Sequence, residues 1–361
     1  MNPDFTETQG LLQHSIRQYV EAEVGFAHIR ELEEKRQPDQ KLWAGMVAQG
    51  WLGIPLPEAV GGGDAGLVEA GILVHELARR AAIVPAAEVL TSAVLLSRHA
   101  TGDESDLLKA IVDGRAIVVP ALLEADDDFG STRAAVDREG SLSGEKHYVD
   151  YAEFATHHLV SAVGPEGPGL YVVERGDAGV SLEPLRCTGR TPQSIVRYAG
   201  ASARRVADAR SIATLVDLGR ALVSAQILGC MEIALEQTVA YTNVRVQFGQ
   251  PLAAFQAVQH HAANMAMSVE SARFMVYEAL DALENGRSNA HDVAIVKAFV
   301  SRAVPEVTML AHQLHGGQGL IEENDLYFFT VRGKDRALSW GSAEECLDRI
   351  AEEIESAPRW L

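Results

Sequence analysis

The chain has 361 residues, 47% of them hydrophobic, which is enough for a substantial core in two or three domains. With 50 Asp and Glu against 31 Lys and Arg the formal charge is −19, which excludes the basic footprint of a DNA- or RNA-binding protein. An anionic ligand would need a local cluster of Arg side chains or backbone N–H groups. Cys187, Cys230 and Cys346 stand far apart, outside any CxxC or Cys/His pattern, and read as reduced thiols of a cytoplasmic protein with no structural zinc. No run reaches about 18 uninterrupted apolar residues, so no membrane span is expected. The N-terminus lacks the basic-then-apolar order of a signal peptide.

Residues 1–115 read as an N-terminal helical domain. "DQKLWAGMVAQGWLGI" is amphipathic and breaks near Gly50. "PEAVGGGDAG" is a loop, and "LVEAGILVHELARRA" aligns Leu67, Ala70, Leu73 and Leu77 on one helix face. Residues 116–210 change texture and read as a middle β-domain. "AIVVPALLEA" is β-branched and apolar, and "AAVDREGSLSG" predicts a hairpin at Glu139-Gly140. "HHLVSAV", "GLYVVER", "GVSLEPL" and "SIVRYAGA" follow as short strands.

Residues 211–361 read as a four-helix bundle of long helices. Leu215, Leu218, Leu222 and Ala225 line the first, and Val258, Ala262, Met265, Val269, Ala272 and Val276 form a seam on the second. The third carries Val293, Val296, Val300, Ala303 and Val307, with Pro305 predicting a kink. The last starts near Ser342 and carries Cys346, Ile350 and Ile354. The order is α+β, with a β insert between two helical parts.

One turn in the last part stands out. "NVRVQFGQPLAAFQAVQH" places Arg245, Gln247, Phe248, Gln256 and Gln259 around a break at Gly249 and Pro251. A guanidinium, an aromatic ring and amides at one helix-to-helix turn suit a flat, anionic ligand; they also suit an exposed polar turn. "AHQLHGGQGLIEENDLYFF" repeats the ambiguity, with Gln313, Gly316 and Gly317 reading as a ligand-facing turn or as a tight turn only.

These two stretches resemble the flavin-proximal helix turn and the C-terminal segment of the acyl-CoA dehydrogenase family, and "GWLGIPLPEAVGGGDAG" looks like its N-terminal loop. The resemblance covers nearly the whole chain. It implies FAD clamped across a subunit interface, with one subunit holding the isoalloxazine and its neighbour the pyrophosphate and adenine. The neighbour-side positions here are Arg245, Phe248, Gln256, Gln313, Gly316 and Gly317. Arg245 offers a planar fork to phosphate oxygens, Phe248 an apolar ring face, the two amides hydrogen bonds, and the glycines a backbone free of Cβ.

The family's chemistry needs a carboxylate to take the α-proton of an acyl-CoA while the β-hydride leaves for the flavin. Relatives carry that Glu in an aromatic–Glu–Gly–Thr run before the last helix. Here the run is "SWGSAEE", with Gly341 in its place. Others carry it on the first bundle helix, a position that falls on Gly219. Glu344 and Glu345 read as first-turn helix charges, and Asp217 lies on a different side of its helix from Gly219. The flavin-ring side also departs from the family's Thr-Glu-Pro…Gly-Ser-Asp stretch. It reads "LLEADDDFGSTRAAV", keeping Glu124 and Gly130-Ser131 but adding Asp126, Asp127 and Asp128, negative charge that disfavours an anionic reduced flavin. The Lys-x-Trp-Ile-Thr run has Tyr148 for Trp and Asp150 for Thr.

The half that reaches into a neighbour's FAD is thus retained, and the half that would catalyse is not. The resemblance implies the non-catalytic subunit of a heteromeric α2β2 acyl-CoA dehydrogenase, of the branch acting on steroid side-chain CoA thioesters, with the base on the partner chain. Two alternatives remain. One is a self-sufficient homo-oligomeric flavoenzyme with a displaced base at Asp150, Tyr148 or Glu344; the other is a flavin-free scaffold.

Overall fold

The computed structural model describes residues 5–99, 102–125, 129, 132–288 and 290–356. Asp126, Asp127, Asp128, Gly130 and Ser131 lie outside the described residues. Among the described residues, six α-helices come first: α1 (Glu7–Glu23), α2 (Phe26–Lys35), α3 (Gln40–Ala48), α4 (Leu67–Arg79), α5 (Ala86–Arg98) and α6 (Gly102–Val112). Seven strands follow: β1 (Val118–Ala121), β2 (Ala135–Val136), β3 (Ser141–Asp150), β4 (His157–Gly164), β5 (Gly167–Glu174), β6 (Val180–Leu185) and β7 (Gln193–Asp208). The chain then returns to helix with α7 (Ala209–Val244), α8 (Gln256–Glu284), α9 (Ala290–His315), α10 (Leu326–Leu338) and α11 (Ala343–Ser356). This is the helix–β–helix order expected from the sequence.

Packing groups the chain into two compact units. One holds Met1–Ala27, Gly71–Ala82 and Arg220–Leu361; the other holds His28–Ala70 and Ile83–Gly219. In the second unit the strand order is β1-β4-β2-β3-β7-β5, β5 also pairs with β4, and β6 lies against β7. The sheet therefore closes on itself through β4, β5, β7, β3 and β2, which removes most of its free edges. The predicted hairpin is β2–β3, where Asp137 Oδ1 accepts from the backbone N–H of Glu139 and Ser141 at 3.0 and 2.8 Å. Strand β7 is 16 residues long, double the predicted run, because its first part is flanked by β3 and β6 and its last part extends on to pair with β5.

The first unit is built on long helices, and an ionic cluster explains why Gly71–Ala82 joins them. The Arg79 guanidinium donates to Glu232 at 2.8 Å and to Glu236 at 2.7 Å. Glu76, also on α4, receives the Arg17 guanidinium at 2.7 Å. His75 lies between Glu232, 3.0 Å from Nε2, and Glu76, 3.5 Å from Nδ1. Burial works against charge on His75, but the two glutamates outweigh it and raise its pKa to about 9. Along α8 the predicted seam is buried at Met265, Val269, Ala272 and Val276, while Val258 and Ala262 are only half-buried. Helix α9 runs unbroken through Pro305. Helix α7 is long and apolar enough to cross a membrane by length and composition, and most of that window is buried in the protein, as in a core helix.

Candidate functional site

Helix α7 ends in an exposed hairpin. The Arg245 N–H donates to the Tyr241 carbonyl at 2.9 Å, completing the last turn, and the Arg245 carbonyl accepts from Leu252 N–H at 2.9 Å. Val246 and Gln247 pair with Pro251 and Gln250, leaving Phe248 and Gly249 as a two-residue loop. Both have positive φ, +52° and +82°. That geometry suits tight hairpins, but it suits glycine or asparagine far better than phenylalanine. Phe248 is nevertheless there, 91% exposed, with only an edge contact to Phe255 at 6.2 Å between ring centroids. The ring is held in a strained, solvated position that its own chain does not reward.

The polar groups of this turn divide in two. Gln247 and Gln259 bond back to local carbonyls, Val246 and Ala253, each at 2.9 Å. The exposed side chains of Arg245, Gln256 and Gln313 make no hydrogen bond or ion pair to another described residue. All three are therefore open to something outside the chain.

Gln313 leads into the second turn. Here α9 passes into a 3₁₀ turn, Gly316–Leu320. His312 clamps it from one side: its Nδ1 lies 2.6 Å from the Gly319 carbonyl and its Nε2 2.6 Å from the Thr330 hydroxyl on α10. A carbonyl only accepts, so Nδ1 carries the proton. On the other side, buried His315 stacks on Tyr241, with centroids 4.4 Å apart and planes at 21°. Burial lowers the His315 pKa, which keeps the ring uncharged at neutral pH.

The glycines of this turn have different reasons to be glycine. A Cβ at Gly319 would meet the His312 carbonyl and the His315 Cβ, each at 2.9 Å, so packing demands glycine there. A Cβ at Gly316 or Gly317 would meet nothing within 4 Å. Any close approach at those two positions must come from another molecule. Beside the turn lies a cavity of about 460 Å³, with Met309, Leu320, Tyr327 and Val331 among its walls.

The expected base positions carry no acid. Gly341 has φ +100°, next to Trp340 at +61°. The Arg220 guanidinium donates to the Trp340 carbonyl at 2.9 Å. A Cβ at Gly341 would lie 3.1 Å from Arg220 Nη2. Gly219 is buried within α7. Glu345 and Ser342 form a reciprocal cap of α11, Ser342 Oγ accepting from Glu345 N–H at 3.2 Å and the Glu345 carboxylate from Ser342 N–H. Glu344 is 75% exposed beside Arg302, which gives it the helix-end role read from the sequence and no enclosed site for proton transfer.

In the β-domain, Glu124 is a structural carboxylate, which its place in the family pattern did not disclose. It accepts from the fully buried Lys146 ammonium at 2.6 Å, from Arg133 and Ala134 N–H at 2.9 Å, and from the Thr132 hydroxyl at 2.9 Å. Burial alone would raise its pKa; Lys146 and the backbone donors lower it to about 2. Tyr148 sits at a bulge in β3 with φ +52° and is 60% exposed. Asp150 accepts from the Gln193 amide at 2.8 Å.

Comparison with known proteins agrees from end to end. A model of the acyl-CoA dehydrogenase N-terminal domain matches residues 6–108, and one of the C-terminal domain matches residues 209–355. Probable acyl-CoA dehydrogenase FadE25 of Mycobacterium tuberculosis is 30% identical over 348 residues, spanning 88% of this chain and 89% of its own. Acyl-CoA dehydrogenase FadE27 of the same organism is 28% identical over 372 residues, spanning 98% of this chain and 100% of its own. Among solved structures, a variant of the Tcur3481–Tcur3483 steroid ACAD superposes with a TM-score of 0.92 at 31% identity, covering 97% of this chain and 99% of that one. The ChsE4–ChsE5 complex from M. tuberculosis gives a TM-score of 0.92 at 27% identity, covering 99% of this chain and 100% of that one.

Proposed function

The chain belongs to the acyl-CoA dehydrogenase family, and from that premise we propose that it is the non-catalytic subunit of a heteromeric, FAD-dependent acyl-CoA dehydrogenase. Its partner would be a second acyl-CoA dehydrogenase-like chain in an α2β2 assembly. The substrate class would be a steroid-derived acyl-CoA, a reading supported by the likeness to the Tcur3481–Tcur3483 steroid ACAD and the ChsE4–ChsE5 complex.

The observation that carries the proposal is Phe248. Phe248 holds φ +52° at 91% exposure, and backbone strain at so exposed a ring is a pointer to function. The rest of the surface fits a dinucleotide. Arg245 supplies a guanidinium for a pyrophosphate, Gln256 and Gln313 supply uncommitted amides, and Gly316 and Gly317 present backbone over which a Cβ would meet nothing of the chain's own. FAD bound there would take up the hydride lost by the acyl β-carbon. This chain's residues would bind and orient it. They would not take the α-proton, because Gly219 and Gly341 have no acceptor, so the carboxylate belongs to the partner.

Flavin content tests this. The chain expressed alone should be colourless, and co-expression with its partner should give one FAD per heterodimer. Arg245→Ala should lower that content. A lone chain that is yellow and active would replace the proposal with a self-sufficient flavoenzyme. Unchanged flavin in the Arg245→Ala complex would leave this chain only a scaffold's part.

A further inference from the structure

The two proposed contact surfaces lie at the C-terminal ends of α7 and α9, and something must set their spacing. Arg245 is fixed to Tyr241 by the 2.9 Å backbone bond that closes α7. Gly316 follows His315 directly. Between these anchors Tyr241 meets His315. The Tyr241 and His315 rings stack at 4.4 Å, and the Tyr241 hydroxyl donates to the His315 carbonyl at 3.4 Å. His315 cannot drift, because its Nδ1 is tied to the Ala311 carbonyl at 2.8 Å and its side chain is buried. Tyr241 is a helix residue, so a stack on its ring fixes the direction in which α7 delivers the hairpin.

We propose that Tyr241 and His315 are positioning residues, a rigid aromatic joint that holds the Arg245 hairpin and the Gly316–Gly317 turn at the separation one dinucleotide requires. The inference rests on the FAD reading above and adds to it. The exposed groups do not act singly; their affinity depends on a pair of rings that never touch the ligand. An ordinary apolar pair would fill the same space. It would lack the parallel stacked planes that resist sliding of one helix end past the other.

The test uses the co-expressed complex, stripped of flavin and titrated with FAD. Tyr241→Phe keeps the stack and should bind within about twofold of wild type. Tyr241→Leu and His315→Leu keep apolar volume but lose it, and should raise the FAD Kd about tenfold, the cost of a small misplacement, with assembly mass unchanged. A purely structural role would lower the melting temperature of both leucine variants while leaving the FAD Kd, measured well below melting, within about twofold. That result would overturn the joint. Should Tyr241→Leu fail to assemble, His315→Leu decides alone, and His315→Phe, which keeps a ring to stack on Tyr241, should bind FAD within about twofold of wild type. If Arg245→Ala weakens FAD but both leucine variants do not, only the joint fails. If Arg245→Ala also has no effect, the FAD reading fails first.

Discussion

The ammonium of Lys297, fully buried on α9, donates to the carbonyl of Gly341 at 2.9 Å. It also donates to the Ala337 carbonyl at 2.7 Å and meets the Ser301 hydroxyl at 2.8 Å. With Arg220 holding the adjacent Trp340 carbonyl, two basic side chains secure the turn where relatives of the family carry a catalytic carboxylate. Residue 341 itself carries no acid; the Glu345 carboxylate, 3.7 Å from where its Cβ would lie, is engaged by the Ser342 N–H.

Restoring the acid should not restore a base. Gly341→Glu forces a side chain onto φ +100°, at a cost of about 1–3 kcal/mol, and sets its Cβ against the Arg220 guanidinium. We expect a lower melting temperature and no dye-linked dehydrogenation by the lone chain. A variant that melts like wild type and turns over acyl-CoA would refute this.

The pH dependence of stability should be nearly flat between pH 7 and 9, because two buried groups oppose each other. Burial lowers Lys297 from 10.5 to about 7, so above pH 7 the unfolded chain binds the extra proton and stability rises with pH. His75 is raised from 6.5 to about 9. Its contribution is complete below 6.5 and is lost as pH climbs to 9. Lys297→Met removes the first effect, so its denaturation midpoint should fall from pH 7 to 9 where wild type does not. On the acid side, Glu76, Glu232 and Glu124 are each lowered to about 2, so stability should drop as pH falls below about 4.5.

The Glu124–Lys146 pair should be non-additive. Glu124→Leu strands a buried ammonium and should cost about 3–5 kcal/mol. Glu124→Leu with Lys146→Met removes both charges and should cost less than the single change. Equilibrium denaturation of the three proteins measures this, and a double variant weaker than the single would contradict it.

Phe248→Gly should separate stability from function. Glycine relieves the left-handed strain and should stabilise the lone chain by up to about 1 kcal/mol. The same change should lower the FAD content of the heteromer. Melting of the lone chain and flavin absorbance of the complex read the two effects separately.

The sequence by itself determined the order of elements, because apolar periodicity and Gly/Pro punctuation are local signals. It also supplied the absence of an acid at residues 219 and 341, since a glycine has no side chain to interpret. The resemblance singled out Gln256 among the amides of the Arg245 turn, and the folded backbone adds a physical reason: Gln247 and Gln259 bond back to local carbonyls. Glu124 read as a remnant of a flavin contact. The structure makes it the anchor of a buried cluster, because Lys146, Thr132 and Ala134 converge on it only once the sheet closes. The tertiary structure alone decided the strain at Phe248, the stack of Tyr241 on His315 and the crowding at Gly319 but not at Gly316. The strain and the crowding depend on backbone dihedrals that residue types alone do not fix, and the stack joins Tyr241 to His315 across segments far apart in the chain.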